Sequence, residues 1–258
     1  MTSIIIPKPN KESPKLFKPI VLLNTISKLI KKVIGERLQF YSISNNSTHP
    51  SQLGRLKQWS IINAGVALTY FICSGWVKNI NTSTLAFDIA QFFPFLNYQL
   101  LLRIFDKASF DLKVSRFFEN YLVEQKTQYV WNFFSSFLFN IDIGVGQESA
   151  LSPILSALYI FPILYIFEKH LKTLKIPISF LSFINNRLLI TQNKSFSISN
   201  SLLFCSYQIV SSLLDRFGLK LEHGKTEVFH FSKSNGLFNP PPLNLYPLDS
   251  PILWPKNL

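Results

Sequence analysis

Four short segments hold the side chains whose types and spacing could do chemistry. In "AFDIAQFFPFLN", Asp88 closes an apolar run that reads as a buried strand. An ionised carboxylate there is costly unless it is paired or binds a metal. "GVGQESALSP" is a glycine-flexed loop with Gln147 at the mouth of a helix. Such a loop suits backbone contacts with a phosphate or a base. "FLSFINNRLLI" reads as two apolar strands meeting at Asn185 and Asn186, and "LEHGKTEVFHF" puts Lys225 on a tight turn between two strands, beside Glu222 and Glu227.

Each segment also has a plain structural reading. Asparagine tolerates left-handed geometry, so Asn185-Asn186 serves well as a two-residue hairpin turn. Asp88 could be a paired carboxylate at a strand end, and Lys225 an ordinary surface ion pair worth little. Gln147 and Phe93 would by default be loop and core residues. On residue types alone, both readings stay open.

The elements that must position these residues follow from periodicity. The stretch "IPKPNKESPKLFKP" near the start should be extended, because each proline disfavours helix at itself and before itself. In "LNTISKLIKKVIGERL", Ile26, Leu29, Ile30, Val33, Ile34 and Leu38 recur at three and four, predicting a helix with one apolar stripe and lysines opposite, capped by Asn24 or Thr25. Helical patterns cover "LNYQLLLRIFDKA", "DLKVSRFFENYLVEQ", residues 149 to 172 and "SISNSLLFCSYQIVSSLLDRFG". "TQYVW", "LFNIDIGV", the hairpin around Asn185, "LKLEH" and "TEVFHF" read as strands. Strands and helices mix without strict βαβ alternation, so the expectation is an α+β, palm-like fold with helices packed on one face of the sheet.

Composition narrows the classes. The chain has 258 residues, 47% hydrophobic and 15% aromatic, which argues against disorder. Lysine and arginine number 26 against 14 acids, a net charge of +12 that favours polyanionic partners. Cys73 and Cys205 lack CxxC spacing, and His49, His170, His223 and His230 form no zinc-ligand pattern. The start shows no secretory signal, so an intracellular protein, nuclear or cytoplasmic, is expected. "LSPILSALYIFPILYIF", Leu151 to Phe167, is uncharged but short for a membrane span and carries Pro153 and Pro162. It reads as a buried core helix with proline breaks, with a membrane-associated protein as the rival.

In this order the segments resemble the reverse transcriptase domain of non-LTR (LINE-type) retrotransposons, most closely fungal copies. The opening "IPKPNKESPKLFKPIVLLNTISKLIKKVI" is similar to the family's fingers segment, and "QLGRLKQWSIINAGVAL" to the next block. "FDIAQFFPFLN" resembles the first metal-binding motif, "GVGQESALSP" the nucleotide- and template-binding loop, and "FGLKLEHGKTEVFHF" the following palm motif. The resemblance implies a palm-and-fingers fragment with an antiparallel palm sheet and packed helices: residues 1–83 fingers-like, 84–234 palm, 235–258 a proline-rich irregular tail. The thumb is expected to be absent.

It also implies roles. Asp88 matches the first metal-binding aspartate, and Phe93 the aromatic that screens the sugar 2′-hydroxyl. Gln147 matches the glutamine of the nucleotide loop, Lys225 the lysine proposed as proton donor to leaving pyrophosphate, and Lys18 stands where the family has arginine. Asn185 and Asn186 fall where the family has two aspartates. The family uses Mg²⁺, an RNA template and a DNA primer.

Departures from the pattern bear on activity. Two-metal transfer needs anionic oxygens to hold cations about 3.5 to 4 Å apart. Mg²⁺ is a hard cation, for which a neutral amide carbonyl is a poor ligand. Arg187 follows the two asparagines where a small residue is usual, so that tripeptide's formal charge moves from minus two to plus one. Glu148 stands where the loop usually has glycine. Asp→Asn, Gly→Glu and Gly→Arg each arise by one G-to-A change, and Lys18, Lys31, Phe95 and Tyr98 fit the same directional decay. The expectation is a reverse transcriptase remnant with weak metal binding, no polymerisation and weak nonspecific nucleic-acid affinity. The alternative is a non-catalytic RNA- or DNA-binding module.

Overall fold

The computed structural model describes residues 2–7, 17–22, 24–54, 60–108, 110–122, 125–131, 133–141, 143–145, 149–183, 186–233 and 243. The chain divides into two compact units, Met1–Thr48 with Gln91–Tyr159, and His49–Ala90 with Ile160–Leu258. Of the tail at 235–258, all but Leu243 lies outside the described residues.

In the first unit, β1 (Thr2–Pro7) pairs antiparallel with β2 (Phe17–Leu22) and parallel with β4 (Gln125–Trp131). The short strands β5 (Phe134–Ser135) and β6 (Phe139–Ile141) both pair with β4. Ser3 and Thr127 share a buried hydrogen bond of 2.8 Å between β1 and β4. Helices α3 (Tyr98–Lys107) and α4 (Leu112–Leu122) meet through Phe105 and Phe118, whose ring centroids are 4.9 Å apart.

Helix α1 (Thr25–Ser44) starts where expected, with the Asn24 side chain accepting from Ser27 N–H at 2.7 Å. Its buried face differs from the predicted stripe. Lys31, Gly35, Leu38 and Ser42 are buried, whereas Ile26, Leu29, Ile30 and Val33 are exposed. The small residues decide this. A Cβ on Gly35 would stand 3.4 Å from the Ala150 carbonyl, so the helix approaches its neighbours along the side where it is thinnest. Lys31 joins that face by laying its ammonium 4.8 Å from the centre of the Tyr121 ring.

The second unit holds an antiparallel sheet in the order β7-β8-β3-β9, formed by β3 (Asn81–Ala90), β7 (Ile178–Phe183), β8 (Asn186–Asn193) and β9 (Lys220–Phe231). Side chains alternate across β3. Ser83 and Phe87 point to α6 (Phe196–Arg216), where Phe87 meets Tyr207 edge-on at 5.6 Å. Thr82 and Ala86 point to α2 (Ile61–Val77), where Thr82 donates to the Phe71 carbonyl. Helices therefore lie on both faces of this sheet rather than on one. The α6 face is the apolar core, and the α2 face is polar near Thr82 and Gln192 and carries Asp88 at its end.

Helix α5 (Ser152–Thr173) runs through Pro162 without the expected break. Pro153 lies in its first turn, where the missing N–H has no intrahelical partner to lose. By length and composition α5 could cross a membrane, yet Leu155, Leu158, Tyr159, Ile163, Leu164 and Phe167 are buried within the fold, as a core helix requires.

Candidate active site

Asp88 sits near the end of β3 with a partner on each side. Antiparallel register sets Asn186 of β8 opposite it on one flank and Glu222 of β9 on the other, so all three project from one face of the sheet. Asn186 is the first residue of β8 and is exposed. Asn185 lies outside the described residues, as do Gln147 and Glu148.

Lys225 reaches the same carboxylate by a different route. The "LKLEH" and "TEVFHF" segments form one strand, β9, rather than two strands around a tight turn. The turn chemistry survives as a bulge: register with β3 jumps from Asp88↔Glu222 to Ala86↔Glu227, leaving residues 223 to 226 opposite Phe87 alone. From that bulge the Lys225 ammonium donates to Asp88 Oδ2 at 2.9 Å. The hydrogen bond to Asp88 holds the lysine above its ordinary range, and the charges of Asp88 and Glu222 add to this. Lys225 is largely exposed, with 64% of its side-chain surface open, whereas Asp88 keeps 18%. Asp88 Oδ1 is buried and has no hydrogen-bond partner among the described residues.

Arg187 is placed by the two-residue alternation of β8. It pairs with Phe87 and so projects to the face opposite Asn186, where it is 3% exposed. Its Nη1 donates to the Asn186 carbonyl at 3.1 Å. Burial pulls the guanidinium down to about 9, with the Asp88 charge acting the other way. The resemblance puts the Arg187 charge at the cation site; the fold buries the side chain on the opposite face of the sheet.

Phe93 belongs to the first unit. It opens a 3₁₀ turn, Phe93–Phe95, beyond the end of β3, and its ring meets Phe92 at 5.6 Å. Its carbonyl accepts from Val145 N–H at 2.8 Å, and Gly144 N–H donates to the Leu96 carbonyl at 2.9 Å. The Tyr98 hydroxyl donates to the Gly144 carbonyl. Gly144 has φ of +88°, and a Cβ there would lie 2.8 Å from Pro94 Cα. The loop that leads to Gln147 is thus fastened to the turn that carries Phe93. Tyr98 and Gly144 carry this fastening, and the only sequence signal for it was the glycine. Phe95, the last residue of that turn, is 43% exposed. Lys18 lies in β2, paired with Ile6.

The described residues do not fit a divalent cation of the kind the resemblance implies. One oxygen of Asp88 is engaged by Lys225, Asn186 offers at best a neutral carbonyl, and the charge of Asp88 is already offset by Lys225 on its own face and by Arg187 from the other. Among the described residues no group of three or more His, Cys, Asp or Glu side chains could hold a metal ion.

A family model described as reverse transcriptase (RNA-dependent DNA polymerase) matches residues 6–249. Among solved structures, the chain is similar to apo telomerase from Candida tropicalis truncated from its C-terminal domain, with a TM-score of 0.60 and 14% identity over 91% of this chain and 51% of that one. It is also similar to telomerase from Candida albicans in complex with a TWJ fragment of telomeric RNA, with a TM-score of 0.62 and 14% identity over 94% of this chain and 43% of that one. At such identity the likeness concerns the fold, which is mixed helix and sheet of the reverse transcriptase kind. The chain spans about half or less of the length of these telomerases.

Proposed function

The chain belongs to the reverse transcriptase family, and on that premise we propose that it is a remnant of the RNA-directed DNA polymerase domain of a fungal non-LTR retrotransposon that has lost polymerase activity. One observation carries this reading: Asp88, at the position of the first metal-binding aspartate, is flanked by Asn186 and hydrogen-bonded to Lys225. Phosphoryl and nucleotidyl transfer rest on positioning and on electrostatic stabilisation of charge at the transferring group. A site whose carboxylates are already balanced by protein cations has no negative charge left to recruit more.

The other parts of the family pattern support an origin in that family. Phe93 and the loop at Gly144 and Val145 are held together by backbone hydrogen bonds, which suits a surface meant to receive a sugar and its base. Asp88, Asn186 and Lys225 share one sheet face although they come from three separate stretches of sequence. Asn, Arg and Tyr at positions 186, 187 and 98 fit directional G-to-A and C-to-T decay of a silenced repeat. By the resemblance we assign Gln147 and Glu148 to the nucleotide loop and Lys18 to the fingers segment.

A second reading, a nucleic-acid-binding module without catalysis, is favoured by exposed Lys28, Lys32 and Arg37 on α1. It predicts affinity for RNA that falls with salt. The two readings are compatible, since loss of chemistry leaves the basic surface in place.

Repair tests the reading. Restoring Asn185→Asp and Asn186→Asp alone leaves Arg187 and Glu148 unchanged and should give no extension of a primed RNA template. Adding Arg187→Gly and Glu148→Gly is the smallest change among this chain's own residues expected to give extension. Sequences of related copies test the decay directly: an excess of C-to-T and G-to-A differences, with aspartates intact elsewhere, is expected. An even spectrum of changes would contradict it.

A further inference from the structure

We propose that Lys225 takes the place of a divalent cation at Asp88, so that the lysine ammonium is the carboxylate's standing counter-ion and keeps metal ions out. This rests on the reading of Asp88 as the first metal-binding position of the family, and it adds a specific cause for the poor fit to metal. The loss of the paired aspartates accounts for missing ligands. It does not account for what now holds the one ligand that remains.

The geometry points to Lys225. In a regular ladder the single residue opposite Phe87 would project to the α6 face, away from Asp88. The bulge at residues 223 to 226 breaks that rule and returns a side chain over the Asp88 face. Gly224 lies within it with open space around its α-carbon, so the bulge is not forced by crowding there. Lys225 Nζ then stands 2.9 Å from Oδ2, the distance of a charge-assisted hydrogen bond. A metal ion on that oxygen would have to displace the ammonium or stand beside it as a like charge. From the other face, buried Arg187 adds a second positive charge near the same carboxylate. A lysine offers what a divalent ion does not: it is tethered, so it needs no free concentration to remain bound.

With aspartates restored at positions 185 and 186 a metal ion could displace the ammonium, whereas with asparagines there Lys225 keeps Asp88. Removing Lys225 should expose a carboxylate with Glu222 directly across from it in register, a pair able to attract a cation weakly.

The experiment uses the full chain and Mn²⁺ alone, with bound ion counted from the loss of the free-ion paramagnetic resonance signal. The unmodified chain is expected to show no saturable site below millimolar Mn²⁺. Lys225→Met should gain one site at least about tenfold tighter, and the gain should vanish when Asp88→Asn is added. Lys225→Gln serves as a second variant if Lys225→Met does not fold, with circular dichroism and melting as the check. Equal Mn²⁺ binding by the unmodified chain and a folded Lys225 variant would overturn the proposal, as would no gain in either folded variant. No nucleotide or primer is present, so these outcomes report on Lys225 alone. Primer extension by the unmodified chain would instead overturn the reading of lost activity.

Discussion

The Lys225 ammonium lies 2.9 Å from Asp88 Oδ2, although 137 positions of sequence separate the two residues. The contact exists because β3 and β9 are neighbours and because the bulge in β9 sends Lys225 back across the strand. Deleting it should change stability little, since an ion pair with so exposed a lysine is screened by water and salt. The effect belongs to the charge of the site. Lys225→Met should leave the melting temperature nearly unchanged in moderate salt, and a large fall would show that the pair is a structural clamp.

A second prediction concerns acid. His230 is largely buried, with Nδ1 2.6 Å from the Ser83 hydroxyl and its ring 4.9 Å from that of Phe196. Burial lowers its pKa from 6.5 to about 4. The folded state therefore binds its proton later than the unfolded state as pH falls. Between pH 6.5 and 4 the unfolded chain holds more protons, and stability must drop with falling pH across that window. Glu168 acts lower on the scale: hydrogen bonding from Lys172, and from His49, depresses its carboxyl, so its contribution is present above its ordinary range and is lost below it. Denaturant melts at steps from pH 7 to 4 should show the loss, and His230→Asn should flatten it. An unchanged slope in that variant would reject His230 as the source.

Two glycines should respond in opposite directions to alanine. Gly144 has φ of +88° and its Cβ would press on Pro94, so Gly144→Ala should cost about 2 kcal/mol or more. Gly65 lies in α2 with nothing within 4 Å of its Cβ position, so Gly65→Ala should stabilise by about 0.5–1 kcal/mol through helix propensity alone. Thermal melts of the two variants decide this, and equal shifts would mean that the 3₁₀ turn and its loop are not built as described.

The basic face of α1 gives a further test. Lys28 and Lys32 are exposed, whereas Lys31 is buried over Tyr121. If single-stranded RNA binds this face, Lys28→Ala and Lys32→Ala should each lower the magnitude of the log–log salt slope by about 0.7. Lys31→Ala should leave the slope alone and cost about 1 kcal/mol of stability through its lost ring contact. A change in slope for Lys31→Ala would place that side chain on the RNA and not on Tyr121.

Much of this was legible in the sequence because it was local. The period-two runs of β3 and β8, the Asn24 cap and the helical period of α6 need only their own neighbours to declare themselves. Even the burial of Arg187 had a signal: alternation from Asn186 puts 187 on the other face. What the sequence hid was non-local. The α1 stripe offered Ile26, Leu29, Ile30 and Val33, yet the buried face was chosen by how closely Gly35 and Ser42 let the helix approach. The β9 bulge is a register shift relative to β3, and a register shift has no meaning until the strands are paired. Glu222 was read only as a neighbour of Lys225, and its place opposite Asp88 emerged from that same pairing.

The measurement that tests the account most directly is extension of a primed RNA template by the unmodified chain, with Mg²⁺ or Mn²⁺ supplied and Asp88→Ala as control. The site carries Asp88 bonded to Lys225 and flanked by Asn186, so the predicted result is no extension by either protein. Template-dependent synthesis by the unmodified chain, abolished by Asp88→Ala, would contradict it and show that Asp88 still supports nucleotide transfer beside two asparagines.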